Sequence, residues 1–494
     1  MKKISHIIIL SAFILFAANG QVRQPHQLYF MDGIPQIVQM NPALQPKANG
    51  YVFFPGFNAN VDLYLGLTLK DAFQQQNNNV YTPFEKEYDY KKLNRSLGRK
   101  ATMFNGGADL DILGFGWRTN NGYFSFGLSY HGFINAALPS DLLKILDDPM
   151  PNKIDFSPLG VRGMAYAQFR FGYSREITEK LTVGVSVKPI IGNIGATTRL
   201  SDFELRTGRD QWTLSGNGGF YLSAPIKIIQ DSEGNFDVDD SLMDDFKDMK
   251  AMDIGRSFIN PGIAFDFGAS YKIDDRLTVS ASLNNLGFIS WNKNASIVTF
   301  PGGSFSFDGV EIDISKDEDI GKQMEGQFGN LFDDIMDGLD GTVNHDGFST
   351  FLPTVVHLGA TYQLTRRSTA GLLSRTVFYP SGSVRQSFNL SYYTPVIGNF
   401  LLFNTGLTYQ INSTVYSNLG LIFNFGPLQF YTLFDYIPLH WARTTIDGEP
   451  LFDMDFPLPS HLNSFTARLG LNFTFGRHGF RNNPMLNKGK SSWN

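Results

Sequence analysis

Hydrophobic and polar positions alternate with a period of two over residues 464–475, SFTARLGLNFTF. Because successive side chains of a β-strand point to opposite faces, this alternation predicts a strand with one apolar face and one polar face. The apolar positions are Phe465, Ala467, Leu469, Leu471, Phe473 and Phe475. The polar positions are Thr466, Arg468, Gly470, Asn472 and Thr474. Such a strand borders either a soluble core or lipid.

The same alternation recurs along the chain between turn residues such as Asn121-Gly122. It predicts about fourteen strands, at 51–66, 108–119, 123–135, 161–174, 181–194, 263–272, 277–283, 354–364, 369–379, 384–393, 400–410, 415–425, 428–437 and 464–475. An even number of strands places both ends of a closed sheet on the same side of a membrane.

The long connections between these strands fall on one side, and the short ones lie mostly on the other. The long ones fall at 67–103, 136–159, 199–260, 291–353 and 438–463, and residues 211–224 within the third predict a hairpin of their own. Long loops on one side and tight turns on the other are typical of bacterial outer-membrane barrels.

The first residues predict export. Lys2 and Lys3 precede a short apolar run at 7–16, and Ala18-Asn19-Gly20 supplies the small residues of a cleavage site before Gln21. This pattern is that of a cleaved signal peptide, and it is too short for a spanning helix. No later segment approaches the run of about 18 apolar residues that a helical span needs.

Composition supports a membrane protein made of strands. Charged residues are 18% of the chain, below the roughly 25% of soluble proteins. The chain has no cysteine, which excludes a disulfide-stapled domain and a lipoprotein anchored through an N-terminal cysteine. The net charge of −5 provides no basic surface for nucleic acid.

A soluble β-sandwich or propeller also shows alternation, but with its apolar face inside. The signal peptide, the low charge and the unequal loops favour the barrel. We therefore predict an all-β protein, a transmembrane antiparallel β-barrel in the bacterial outer membrane with long extracellular loops. The predicted division is a signal peptide at 1–20, a proline-rich periplasmic hatch or plug at 21–50, the barrel at 51–476 and a periplasmic tail at 477–494.

If the apolar faces meet the lipid bilayer, the polar faces line the lumen. The predicted lumen-lining residues are His131, Gln168, Arg170, Lys188, Asp266, His357, Arg385, Asn389 and Arg468. They would either select solutes in a conduit or pair with one another and with the plug, because buried charges need partners.

Metal and catalytic sites have little support in the sequence. The acidic stretches at 237–250 and 313–340 lack the spacing of an EF-hand and are expected to be solvated loops, and the histidines lack metal-binding spacing. His131, Asp266 and Ser464 would make a triad only if the fold assembled them, and no nucleophile elbow is present. No catalytic residue, metal or cofactor is predicted.

Two stretches resemble known outer-membrane barrels. Residues 39–44, QMNPAL, resemble the Asn-Pro-Ala motif near the mature N-terminus of long-chain fatty-acid transporter-like barrels. Residues 260–291 resemble a hairpin of Bacteroidota barrels that include the shuttle protein of the type IX secretion system, and the whole chain resembles a Bacteroidota outer-membrane family of this architecture. The resemblance implies fourteen strands with an N-terminal hatch anchored by Asn41, Pro42 and Ala43. The chain departs from the usual ending because a tail follows Phe475.

The leading hypothesis for function is a non-enzymatic barrel that passes a small hydrophobic molecule across the outer membrane, gated by residues 21–50. Gly132 and Pro139 would allow a kink and a lateral exit. The alternative is a plugged barrel that acts as a scaffold for an envelope protein partner in a secretion or surface-assembly complex. A hydrolase acting through Ser464 and His131 is a third possibility.

Overall fold

The computed structural model describes residues 24–477, with gaps at 55–57, 67, 69–73, 77–78, 82–87, 97–100, 145–151, 209–210, 231–235, 240–258, 308–340, 381, 412–414, 440–441, 445–455 and 459–462. The predicted signal peptide, the acidic stretch at 313–340 and almost all of the predicted tail lie outside the described residues.

Fourteen strands form one closed antiparallel barrel, which confirms the predicted fold and strand number. They are β1 (Ala48–Phe53 and Asn58–Tyr64), β2 (Ala101–Arg118), β3 (Gly122–Pro139), β4 (Gly160–Glu176), β5 (Leu181–Thr207), β6 (Asn260–Lys272), β7 (Leu277–Trp291), β8 (Phe348–Phe351 and Thr354–Gln363), β9 (Thr369–Phe378), β10 (Val384–Ile397), β11 (Leu401–Gln410), β12 (Val415–Phe425), β13 (Leu428–Pro438) and β14 (Ser464–Arg477). Each strand pairs with its neighbours in sequence order.

Closure is made by β1 and β14. Val52 lies opposite Phe473, and Ala59 lies opposite Leu469, while β1 pairs with β2 on its other side. Because the first strand pairs with the last, the barrel has no open edge at this seam. A closed sheet satisfies every backbone hydrogen bond between strands, as a structure in lipid requires.

β14 turns its apolar face outwards and its polar face inwards, as a barrel in a membrane requires. Leu469 is 49% exposed and Phe465 also lies on the outer surface, whereas Arg468 is 2% exposed inside the barrel. Exposed apolar side chains continue around the wall on other strands, including Leu110, Phe171, Phe267, Leu358, Leu372, Leu390 and Phe430. Among the described residues, no helix is long and apolar enough to cross a membrane. The apolar outer surface and the closed sheet exclude the soluble sandwich.

The strand ends opposite the long loops are joined by tight turns. Gly398 and Gly426 adopt φ values of +51° and +61°, which side chains disfavour. In the turn between β6 and β7, Asp274 Oδ1 accepts hydrogen bonds from the backbone N–H groups of Arg276 and Leu277 at 2.7 and 2.8 Å. These bonds hold the pKa of the Asp274 carboxyl below its ordinary value. Their contribution is present above the ordinary carboxyl pKa and is lost as the pH falls through the lowered value.

Several strands are longer than predicted, among them β7, which ends at Trp291 and not at residue 283. β2 begins at Ala101, β3 continues to Pro139, and β5 contains 27 residues, about 87 Å of chain at 3.2–3.4 Å per residue. A membrane strand needs only about 9–11 residues, so β5 continues well beyond the barrel wall. The prediction that loops begin at 136 and 199 was therefore wrong.

The far half of β5 belongs to a sheet beyond the barrel. Residues 211–224 do not form a hairpin of their own, because Trp212–Ser223 is one strand that pairs with β5 and with Ala295–Phe307. Leu205, Leu214 and Phe300 form a buried apolar cluster with Val298 and Ile154 of these segments. The remaining short strands are Gln74–Gln76, Asn79–Tyr81, Lys153–Asp155, Lys227–Gln230, Phe236–Asp239, Thr342–Asn344, Ala442–Thr444 and Phe456–Leu458, and the helices are Tyr90–Ser96 and Ser140–Lys144.

Residues 24–47, hereafter the N-terminal segment, lie inside the barrel. Two short 3-10 helices, His26–Phe30 and Pro35–Gln39, are almost entirely buried. Their apolar side chains pack with inward-facing residues of β9 to β13 in one cluster, which contains Leu28, Tyr29, Phe30, Met31, Ile34, Met40, Leu373, Tyr393, Leu402, Ile422, Tyr431 and Leu433. β1 begins at Ala48, so the last residues of the predicted 21–50 segment belong to the wall.

We expect Leu469→Arg to destabilise the folded barrel by about 2–4 kcal/mol, because arginine at mid-membrane on the outer face loses hydration. Equilibrium urea unfolding in lipid vesicles measures this change. Leu439→Arg is the control, because Leu439 is equally exposed but lies just beyond the end of β13. Equal stability of the two variants would contradict a lipid-facing β14.

Candidate functional site

The structure places the predicted lumen residues on the inner face of the wall. Arg170, Lys188, Asp266, His357, Asn389 and Arg468 are buried, as is Gln168, and His131 is partly buried. Arg385 differs from the rest because its guanidinium lies over the ring of Tyr64, 3.9 Å from the centroid, and 5.6 Å from that of Tyr379. It joins β10 to β1, which are not neighbours in the wall.

Ion pairs join most of the interior charges. Lys188 Nζ lies 2.6 Å from Asp266 Oδ1 and also donates to Asn285 Oδ1 at 2.6 Å. Arg468 Nη2 lies 2.6 Å from Asp111 Oδ2. Asp109 and Asp111 were not among the lumen residues predicted from the sequence. They flank the outward-facing Leu110, so they show the same alternation of polar and apolar positions as β14.

Asp109, His131 and Ser129 form a hydrogen-bonded chain. His131 Nδ1 lies 2.6 Å from Asp109 Oδ1, and His131 Nε2 lies 2.8 Å from Ser129 Oγ. Ser129 lies within β3, where it pairs with Asp111 of β2 and Gln168 of β4. We interpret the chain as a structural network.

The triad considered from the sequence is not assembled. Asp266 pairs with Lys188, and the Ser464 hydroxyl donates to Asn463 at 3.1 Å. Neither contacts His131, whose partners are given above. In the part of the chain that the structure describes, no group of three or more acidic, histidine or cysteine side chains is arranged to hold a metal.

The Asn-Pro-Ala motif lies against the inner faces of β5, β6 and β7. Asn41 Nδ2 donates to the Tyr29 hydroxyl and to the Ala281 carbonyl, each at 3.1 Å, and Asn41 Oδ1 accepts from the Ala43 N–H at 2.9 Å. The carbonyl of Met40, the preceding residue, accepts from Ser282 Oγ at 2.8 Å. Asn41 therefore ties the backbone of the motif to the wall.

Glycines in the wall leave the space that this motif fills. A Cβ atom at Gly184 would lie 2.3 Å from the carbonyl carbon and oxygen of Pro42, and one at Gly268 would lie 2.0 Å from Asn41 Oδ1. Gly359 and Gly371 likewise leave space for the rings of Tyr29 and Phe30, because neither glycine has a side chain. The wall is thus shaped for close approach of the N-terminal segment.

The start of the N-terminal segment is fixed by a buried pair. The backbone N–H of His26 donates to Asp435 Oδ2 at 3.1 Å, and its Nδ1 pairs with the same oxygen. His26 Nε2 lies 2.8 Å from Ser387 Oγ. Tyr436, the next residue after Asp435, has φ +60°, and the pairing of β12 with β13 shifts register here. Asp435 itself lies on the inner face in register with Tyr431 and Leu433, and it pairs with Thr466 of β14.

Two glutamines of the N-terminal segment contact the charges of β2 and β14. Gln24 Nε2 donates to Asp109 Oδ2 at 2.8 Å, and its backbone carbonyl accepts from Arg375 Nη1 at 2.8 Å. Gln39 Nε2 donates to Asp111 Oδ1 at 3.2 Å and accepts from Arg468 Nη2 at 3.1 Å. The segment is therefore part of the interior charge network.

A cavity of about 80 Å³ remains between the N-terminal segment and the wall. At about 10–15 Å³ per water it holds only a handful of waters. Its polar lining includes Gln24, Asp109, Ser129, His131, Gln168 and Arg170.

An apolar cluster continues from this cavity towards the long loops. Phe133 and Tyr166 belong both to the cavity wall and to this cluster, which also contains Met164, Ile190, Ala264, Ile289, Trp291, Ala295, Ile297, Phe348 and Leu352. Trp291 is fully buried and its Nε1–H donates to Thr350 Oγ1 at 2.7 Å. The lumen therefore has an apolar half near the loops and a second half in which the charged cavity lies beside the apolar cluster of the N-terminal segment.

The model of DUF5723, a protein family of unknown function, matches residues 42–435. Among solved structures, a FadL homologue from Pseudomonas aeruginosa has 13% identity and a TM-score of 0.40, with 93% of this chain and 100% of that chain covered. The toluene transporter TodX of Pseudomonas putida has 9% identity and a TM-score of 0.38, with 92% and 94% covered. No curated protein matches at a significant level. At these identities and TM-scores the likenesses do not bear on the ligand.

Proposed function

The chain belongs to DUF5723, a family of unknown function, and we propose that it passes a small hydrophobic molecule across the bacterial outer membrane. In this proposal residues 1–20 direct export, residues 48–477 form the wall, residues 21–47 gate the lumen and residues 478–494 extend into the periplasm. No step of the passage requires catalysis.

The apolar half of the lumen carries the proposal. Inward positions of a barrel in lipid are expected to be polar, yet Met164, Ile190, Ile289 and Trp291 face inward beside the long loops. Such a surface removes an apolar molecule from water before it reaches the gate. The N-terminal segment bonds to several of the charged groups below it, among them Asp109, Asp111 and Arg468, so the gate is closed in this conformation.

Phe133 tests the passage because it lies where the apolar cluster meets the cavity. We expect Phe133→Gln to slow uptake of an apolar fluorescent probe, 1-N-phenylnaphthylamine, at least severalfold in cells with an intact lipopolysaccharide leaflet. The reason is that desolvation of a glutamine amide in the apolar route costs about 1–3 kcal/mol of free energy.

Asn135→Gln is the control, because Asn135 is on the same strand and its side-chain amide donates to Asn105 Oδ1, away from the apolar cluster. Heat-dependent electrophoretic mobility checks that both variants are folded. Equal uptake by wild type, Phe133→Gln and cells without the protein would contradict the passage.

A second candidate is a scaffold of a secretion or surface-assembly complex, related in architecture to Bacteroidota barrels. The small size of the cavity and the complete pairing of Lys188 and Arg468 favour it. Co-purification of one envelope protein at fixed stoichiometry, together with uptake equal to that of cells without the barrel, would support the scaffold.

A further inference from the structure

The cavity wall carries an uneven balance of charge. Arg170, Lys188 and Arg375 line it together with Asp109 and Asp111. Asp266 pairs with Lys188, and Arg468 pairs with Asp111. Among the described residues, Lys188 and Arg468 each contact a carboxylate, whereas the guanidinium of Arg170 contacts none, and its charge is here called the excess charge. A buried charge without a counter-charge is costly.

The excess charge is at Arg170. Its guanidinium is buried, Nη1 donates to Ser125 Oγ at 3.2 Å, and it also hydrogen-bonds the Tyr51 side chain. Both hydroxyls are neutral, and within the described ranges Arg170 has no carboxylate within 4.0 Å. Arginine does not lose its charge at accessible pH, so deprotonation cannot relieve this imbalance.

Two neighbours of Arg170 leave donors facing the cavity. Gln168 lies two residues away on the same inner face and lines the cavity, and its side-chain amide forms no hydrogen bond with another described residue. Gly127 lies directly opposite Arg170 in β3. A Cβ atom at Gly127 would lie 3.8 Å from Arg170 Nε and 3.9 Å from Nη2, so the absence of a side chain leaves this edge of the guanidinium open to the cavity.

We propose that the cavity binds one small monovalent anion, the size of a halide, against the guanidinium of Arg170 and the amide of Gln168. The anion neutralises the excess charge and accepts hydrogen bonds from both groups. The carboxylates on the same wall do not take this role, because Asp111 is bonded to Arg468 and Gln39, and Asp109 to His131 and Gln24. The volume of about 80 Å³ excludes larger organic anions.

Bromide is the probe for this site, because its anomalous scattering locates it in crystals of the detergent-solubilised mature protein. We expect a peak within about 3.5 Å of the Arg170 guanidinium, at hydrogen-bond range for a halide. The peak should be lost in Arg170→Met and in Gly127→Val, whose methyl groups cover the open edge. Arg162→Met is the control, because Arg162 is on the same strand and bonds to Thr197 outside the cavity lining.

Thermal unfolding gives a second readout that does not require crystals. A ligand that binds only the folded protein raises the unfolding midpoint. We expect a higher midpoint in sodium bromide than in sodium gluconate at equal ionic strength for wild type and Arg162→Met, with no difference for Arg170→Met. A wild-type crystal without the peak, or an equal bromide effect in Arg170→Met, would overturn the proposal. Neither readout depends on transport.

Discussion

Gly184→Ala is expected to displace the Asn-Pro-Ala motif from the wall and open the lumen. The added Cβ would lie 2.3 Å from the Pro42 carbonyl and 2.6 Å from the Ala43 nitrogen. These are backbone atoms and cannot rotate away, so either the N-terminal segment or the strand must move. Overpacking of this kind raises the free energy of the closed state by about 1–3 kcal/mol.

Single-channel recording in planar bilayers measures the result. We expect wild type to be mostly closed and Gly184→Ala to show long conducting events, with faster protease cleavage in the N-terminal segment. Gly268→Ala should act in the same direction, because its Cβ would lie 2.0 Å from Asn41 Oδ1. That contact is with the end of a side chain, so the effect should be smaller.

Gly163→Ala is the matched control, since its Cβ would approach the Phe133 carbonyl oxygen no closer than 3.4 Å, an ordinary contact. It should behave as wild type. A folded Gly184→Ala barrel with wild-type conductance and protease protection would show that the motif does not gate the lumen.

Residue alternation was sufficient to predict the wall. β14 illustrates why, because lipid on one side and a hydrated interior on the other impose opposite polarity on Leu469 and Arg468. The same rule applied to β2 would have identified Asp109 and Asp111, which flank Leu110. The extension of β5 was missed because, beyond lipid, its outer face is no longer required to be apolar.

Contacts of the N-terminal segment could not be predicted in this way. His26 and Asp435 are 409 residues apart in sequence, and only closure of the barrel brings them together. Alternation places Asp435 on the inner face with Tyr431 and Leu433, but it does not identify His26 as the partner. Alternation placed Arg385 on the inner face, but its stacking on Tyr64 depends on a contact across the lumen.

His26 and Asp435 make the second large prediction because both side chains are fully buried. We expect His26→Ala to lower the free energy of unfolding by about 3–5 kcal/mol, because it leaves a buried carboxylate without its partner. His26→Ala with Asp435→Leu should lose less than His26→Ala alone, since no uncompensated charge remains.

A double-mutant cycle by equilibrium urea unfolding in lipid vesicles measures this coupling. Lys47→Ala is the control within the same segment, because Lys47 pairs with Asp32 at 3.0 Å but both side chains are about two-fifths exposed. Solvent-exposed pairs contribute about 0–1 kcal/mol, so this variant should remain near wild type. Additive losses in the His26 and Asp435 cycle would mean that the two residues stabilise the barrel separately. Strong coupling would instead mean that this pair holds the start of the N-terminal segment against the wall. The Asn-Pro-Ala motif holds the end of the same segment. Opening of the lumen would then require release of both contacts.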